Sequence, residues 1–390
     1  MLTDSAENLT QPERDAARIA TTVDAMALIR KWDYACEEHT VSGKDGTRLT
    51  IQRILPSGFS ASRHHQPPPV LLWPGFGGSA NCFLCAPSRE GNLAFLLADA
   101  GFDVWLGNPR GVVYTQFFNE KDGGANPWAF SIDDIIHYDV PATVDFVLAK
   151  TRSKQLTYVC VSQGTTTIFA ALSIMEDLNR KINLVIALAP TLKPVHAALT
   201  PILHPIFRGY RWVAGDRAFP STLSEVAKQY APPFLTSKFM SLCTYIGFQW
   251  DCSKIGDDAR QMAMMPHSFH GTSTRVVDTM EDSVSFSHYI ILSAKKRGFT
   301  HLFDHVTHAA ASPVKYPTKH ITTPLHLMYS RSDSITDINV LQVHLPSHTV
   351  FTEIENYSHP EFLWGTDAPE KIFGKVLSLI FEAVSDNAKK

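Results

Sequence analysis

Leu156 to Val161 is a run of apolar and β-branched residues of the length of one buried parallel strand, and it ends abruptly at Ser162-Gln163-Gly164. Past Gly164, the run Thr165-Thr166-Thr167-Ile168-Phe169-Ala170-Ala171-Leu172 continues into Met175 and Leu178 at helical spacing. A strand that turns directly into a helix leaves one residue on a sharp, strained bend. That residue's side chain is pushed clear of the sheet, beside the positive end of the helix. Here it is Ser162. The pattern calls for an open, mostly parallel α/β sheet and gives the serine hydroxyl the setting of a nucleophile. A plain strand–loop–helix with a capping serine shares the local pattern, so the assignment turns on what else the chain supplies.

In the usual form of this turn, G-x-S-x-G, the flanking glycines let strand and helix backbones approach closely. The first glycine is here Cys160, whose side chain is among the smaller ones. A thiol nucleophile at Cys160 is the weaker reading, because the residue lies inside the apolar strand and points away from the apex of the turn.

A serine nucleophile needs a base, a group that orients the base, and donors for the developing oxyanion. In open α/β sheets the partners follow in the chain order Ser, then Asp or Glu, then His. Pro324-Leu325-His326-Leu327-Met328-Tyr329 reads as a buried strand, and Ser330-Arg331-Ser332-Asp333 sets Asp333 just past its carboxyl end. Asp337, about a turn further on, competes for the same role. Thr349 to Glu355 reads as a further strand, followed by the loop Asn356-Tyr357-Ser358-His359 and an amphipathic helix over about 369–384. Of seventeen histidines, His359 alone occupies this last strand–loop–helix position. Reacting groups in such sheets gather at the carboxyl ends of the strands, where Ser162, Asp333 and His359 all fall.

One oxyanion donor is the backbone N–H of Gln163, the residue after the serine. The second belongs on the loop after the strand Val70-Leu71-Leu72-Trp73, where Pro74-Gly75-Phe76-Gly77-Gly78-Ser79 can turn inward and present the Phe76 amide. That loop lacks the glycine spacing of a dinucleotide site and the lysine of a P-loop.

Several longer blocks carry a resemblance. They are Asp45-Gly46 with Leu49; the stretch from Asn92 through Ala100-Gly101-Phe102 and Asn108-Pro109-Arg110 to Gly111; Trp128 to Asp134; Tyr138 to Phe146; Ala187 to Pro190; and His359 with Phe362, Trp364 and Asp367-Ala368-Pro369. From about Tyr34 to the C-terminal helix the chain resembles the acid lipase family, the gastric and lysosomal acid lipases and steryl ester hydrolases of the α/β-hydrolase superfamily. The resemblance implies an α/β-hydrolase fold, a mostly parallel central sheet flanked by helices with a largely helical cap insertion. It also implies catalytic roles for Ser162, Asp333 and His359. The chain departs from the family in two places: Cys160-Val161 replaces Gly-His before the serine, and Pro74-Gly75-Phe76 replaces His-Gly-Leu in the oxyanion loop. Both departures bear on substrate preference and on whether activity is kept.

Local physics agrees with these blocks. Gly101 is placed to end the helix that starts at Asn92, Ser131 with Asp134 resembles a capping box, and Pro141 predicts a kink. With 390 residues and 44% hydrophobic content the chain can bury a large core. The spacing of elements predicts an N-terminal polar, helical extension over 1–33, a core over 34–190 and 319–390, and a cap over 191–318. In the cap the strand pattern stops, and Phe234, Phe239, Met240, Leu242, Tyr245, Phe248 and Trp250 stand between prolines. A net charge of -3 argues against nucleic acid, and no run of about 18 apolar residues suggests a membrane span. Met1 to Arg30 has no charged-then-apolar leader, Ala17 to Ile29 reading as a weak amphipathic helix, which favours an intracellular setting. Of the six cysteines, only Cys243 and Cys252 are candidates to pair. His301, His305 and His308 would share a helical face, but the chemistry needs no metal and no cofactor.

The reading is a serine carboxylic ester hydrolase acting on a neutral lipid ester at a lipid–water interface, through Ser162, Asp333 and His359 with the Phe76 and Gln163 amides. A small-ester or thioester hydrolase, a serine peptidase on the same fold, and a non-catalytic lipid-binding or scaffold protein are the alternatives.

Overall fold

Side chains alternate between two apolar layers along every central strand, which is what a sheet buried on both faces requires. The computed structural model describes residues 9–56, 67–116, 126–192, 215–219, 231–277 and 316–388. Among them the main sheet contains β1 (Cys36–Ser42), β2 (Arg48–Ile54), β3 (Pro69–Trp73), β4 (Asp103–Leu106), β5 (Thr115–Gln116), β6 (Leu156–Val161) and β7 (Ile182–Leu188). A short separate pair, β8 (Ala218–Phe219) with β9 (Thr272–Ser273), precedes the last two strands of the main sheet, β10 (Leu325–Tyr329) and β11 (Val350–Glu353). The order is β1-β2-β4-β3-β6-β7-β10-β11, with β5 on β2. β1, β2 and β4 pair antiparallel, and from β4 to β11 every pairing is parallel.

On one face Leu72, Leu106, Val159, Ile186 and Met328 pack with the Leu93–Asp99 helix, the N-terminal helices and the C-terminal helix. On the other, Leu71, Trp105, Tyr158, Val185 and Leu327 pack with the Val140–Thr151 and Gln163–Ile174 helices. Two arginines cross this core as paired ions: Arg53 grips Asp103 through Nε at 2.7 Å, and Arg110 grips Asp139 through Nη2 at 2.6 Å. Each is a charge that burial tolerates because its partner is hydrogen-bonded to it.

The local signals correspond to observed caps. Gly101 has φ +91°, and the Phe102 N–H reaches the Leu97 carbonyl, a Schellman end to the preceding helix. Ser131 and Asp134 form a reciprocal capping box. Near Pro141 the chain widens into a π turn, Ile135–Asp139, with the Val140 N–H bonded to the Ile135 carbonyl. The missing proline N–H is absorbed by a change of helix pitch.

Some expectations are corrected. Ala17–Ile29 is not one helix: Gln11–Thr21 ends at Thr22, and Ala25–Arg30 restarts under an Asp24 N-cap. The first helix packs on the core, with Ala16 and Ile19 inside it and the Ile19 carbonyl 2.9 Å from His267 Nε2. The C-terminal helix opens with a π turn at Pro369–Phe373 and runs on through Gly374–Ala388. Cys243 is exposed, Cys252 buried, and both are free thiols. Within 191–318 the described residues hold the Pro233–Phe248 and Asp258–Met264 helices and also strands β8 and β9, so strand structure does recur there. His301, His305 and His308 lie outside the described residues. No described helix is long and apolar enough to cross a membrane.

Candidate active site

Ser162 has φ 56° and ψ −128°, a combination that costs a side-chain-bearing residue energy and persists only when its surroundings hold it. The constraint is visible on each side. The Ser162 N–H continues the β6–β7 ladder to the Leu188 carbonyl at 3.1 Å, and its carbonyl accepts from the Thr165 N–H at 2.8 Å. A β-carbon on Gly164 would lie 2.6 Å from the Pro74 carbonyl oxygen, so this glycine is what lets the helix start against the β3 loop. Gly75 is equally cramped: a β-carbon there would lie 2.8 Å from Ser162 Cβ and 3.4 Å from its Oγ. The loop after β3 therefore runs directly alongside the serine.

Cys160 fills the first glycine position inside β6, fully buried, with Sγ 3.7 Å from the Ile186 carbonyl. Burial pushes its thiol well above the ordinary cysteine range, which disfavours the thiolate. It packs the core, in a setting that disfavours a thiol nucleophile.

Asp333 is buried just past β10, and its Oδ2 lies 2.7 Å from His359 Nδ1. A carboxylate oxygen only accepts, so Nδ1 carries the proton, and in the neutral ring this leaves Nε2 as the acceptor. Oδ1 accepts from the Ile335 N–H at 3.1 Å, and the Thr336 hydroxyl lies 2.9 Å from the same Oδ2. Asp337 does other work: it caps the Ile338–His344 helix, accepting from Asn339 and Val340 N–H groups. His359 Nε2 is buried without a hydrogen-bond partner among the described residues.

The two loops that carry these residues are tied together. Ser330 Oγ accepts from the Tyr357 N–H at 3.1 Å, and the Tyr329 carbonyl accepts from the Ile354 N–H at 2.7 Å. Glu361 steadies the turn after the histidine, taking the Ser358 N–H at 2.7 Å; burial raises its carboxyl above the usual range. The Gln163 and Phe76 N–H groups, the two expected oxyanion donors, have no hydrogen-bond partner among the described residues. The Phe76 ring meets Phe269 edge-on at 6.1 Å.

Sequence reasoning missed Thr336 and Glu361, and it named Ser330 and Trp250 without their places here; the Trp250 indole stacks on the His359 ring. The contact between Asp333 and the amide two residues on is an Asx-type turn, which an Asp-Ser-Ile-Thr run hints at. Nothing local marks Trp250. Among the described residues no group of His, Cys, Asp and Glu side chains is arranged to hold a metal.

The sequence matches the α/β hydrolase fold family over residues 68–343 and the partial α/β-hydrolase lipase region over 25–87. It is 31% identical to gastric triacylglycerol lipase of Bos taurus over 382 residues, 93% of this chain and 92% of the relative. The chain belongs to the acid lipase family of α/β hydrolases. Lipase member K of Mus musculus is another member, 30% identical over 97% of this chain and 94% of its own length. The fold is shared with a hypothetical protein of Pseudomonas aeruginosa at TM-score 0.56 and 12% identity, covering 96% of this chain and 98% of the other. As a family member this chain is a hydrolase of carboxylic esters.

Proposed function

We propose that this ester hydrolase cleaves neutral lipid esters, acylglycerols or steryl esters, through Ser162, His359 and Asp333. Ser162 Oγ attacks the ester carbonyl as His359 Nε2 takes its proton. The Phe76 and Gln163 N–H groups stabilise the oxyanion. Collapse breaks the bond to the leaving alcohol, which receives the proton from His359, and leaves an acyl-Ser162 ester. Water, deprotonated by the same histidine, then releases the acid. Asp333 holds the imidazole tautomer and stabilises its cation.

The observation that carries this reading is the state of His359. One ring nitrogen is committed to a buried carboxylate at 2.7 Å and the other is buried without a partner, on a loop at the same sheet edge as the strained serine. A buried polar atom left unpaired costs stability, and a catalytic role is one reason for a fold to keep it. Support for a lipid substrate comes from the relatives, a gastric triacylglycerol lipase among them. Phe76, next to the Gly75 that abuts Ser162, stands where the family carries leucine and favours keeping the small-ester reading as the alternative.

The test is a chain-length series of p-nitrophenyl esters run beside emulsified triacylglycerol and cholesteryl oleate. Each methylene buried in an acyl pocket adds up to about 0.8 kcal/mol, so kcat/KM should climb with acyl length. Flat or falling rates beyond short chains, with neither lipid turned over, leave the small-ester reading. Failure of Ser162 to label with a fluorophosphonate leaves the scaffold.

A further inference from the structure

His359 is engaged on one edge by Asp333, and its ring face is covered by a residue from a distant part of the chain. The indole of Trp250 stacks on the imidazole with centroids 4.8 Å apart and planes 11° from parallel. Phe248 stacks on Trp250 in turn, at 4.5 Å and 20°. The segment that carries both rings is fastened to the two loops on which the candidate acid and base stand. The Phe248 carbonyl accepts from the hydroxyl of Ser334, next to Asp333. The Asp251 carbonyl accepts from Ser358 Oγ, next to His359, at 2.7 Å. Lys254 donates its N–H to Glu361 Oε1 at 3.2 Å, and its carbonyl accepts from the Thr366 N–H at 2.8 Å.

We propose that Trp250 is a positioning residue for ester hydrolysis: it fixes the plane of the His359 ring and stabilises the imidazolium that forms when His359 takes the proton of Ser162. The inference rests on His359 being the base. The physical case has two parts. A parallel plate on one face hinders rotation of the ring about its Cβ–Cγ bond, so Nε2 keeps its aim without a hydrogen bond of its own. The indole π face is also negative, so it attracts the cation far more than the neutral ring. An interaction that is stronger after proton transfer than before it lowers the barrier rather than the binding constant. The fastening on both sides explains how the plate stays in register. Ser334 ties it to the Asp333 loop and Ser358 ties it to the His359 loop, so acid, base and plate move as one unit.

The experiment uses the full chain with Trp250→Leu and Trp250→Phe, assayed on one p-nitrophenyl ester with melting temperature and fluorophosphonate labelling rate measured in parallel. Trp250→Leu should lower kcat on the order of tenfold with KM within about twofold, and slow labelling in step. Trp250→Phe keeps an aromatic face and should recover most of that loss. Because Trp250→Leu also removes packing, a second arm leaves shape intact. Replacing all tryptophans by 5-fluorotryptophan weakens the π face and should lower kcat in the wild type, while the Trp250→Phe protein should not respond. Full kcat in Trp250→Leu overturns the inference, as does a loss in KM alone. So does a Trp250→Phe protein as slow as Trp250→Leu, since the indole N–H would then be the active part. His359→Ala separates the two levels. If labelling persists in that variant, the base assignment falls with everything built on it. If labelling is lost there while Trp250→Leu turns over at full rate, only the role of Trp250 falls.

Discussion

His359 Nδ1 and Asp333 Oδ2 stand 2.7 Å apart, both withdrawn from solvent, while Asp337 four residues on spends its carboxylate capping a helix. The two acids should therefore fail in different ways. Asp333→Asn should leave the wrong imidazole tautomer and cut kcat by about 10⁴-fold at nearly unchanged stability. Asp337→Ala should keep activity and lose about 1 kcal/mol of stability with its cap. Steady-state kinetics and urea denaturation on both variants check this; equal, mild losses of rate would place the acid elsewhere.

Gly75 should be intolerant of a methyl group for reasons of catalysis. Alanine there sets a β-carbon 2.8 Å from Ser162 Cβ, so the serine or the oxyanion loop must shift. A displacement of about 1 Å at a nucleophile can cost on the order of 10²-fold in rate. At Gly164 the clash is with the Pro74 backbone oxygen at 2.6 Å, so Gly164→Ala should show its effect as lost stability, about 1–3 kcal/mol. Comparing kcat/KM with the denaturation midpoint for the two variants separates these outcomes.

Cys160 sits two residues before Ser162 but inside the strand, where burial raises its thiol. Cys160→Ala should keep most of the esterase activity, whereas Ser162→Ala should abolish it along with fluorophosphonate labelling. Iodoacetamide on the native protein should not inactivate it. Inactivation that Cys160→Ala prevents would reverse the assignment.

His326, in β10, is buried against Thr352 with its Nε2 2.8 Å from Oγ1, and burial lowers its pKa below the ordinary 6.5. The unfolded chain then binds the proton first as pH falls. The group's contribution to stability is present above about pH 6.5 and drains away as pH drops through the lower folded value. Thermal melts at pH 7 and pH 5 should show His326→Gln losing less on acidification than the wild type. Parallel losses would mean that the histidine titrates alike in both states.

Much of the scaffold was legible before any contact was known. The strand over 156–161, the glycine that ends the helix before β4 and the capping box at Ser131 all appear in the structure, since each depends on the conformation of a few neighbouring residues. Ala17–Ile29 misled because its apolar spacing continues through Thr22-Val23-Asp24, where the backbone turns extended and Asp24 starts a second helix. Periodicity records which side faces the core and says little about where a helix stops.

What the sequence by itself determined was the order of strands and helices and the place of Ser162 at their sharpest junction, because backbone stereochemistry and hydrophobic period act over short range. Only the tertiary structure decided which aspartate meets His359, through a contact that joins residues 26 apart, and that Trp250 lies flat against the same ring. Those choices depend on how separate loops of the chain converge at the edge of one sheet, and side-chain contacts made across that convergence leave no periodic trace in the residues that make them.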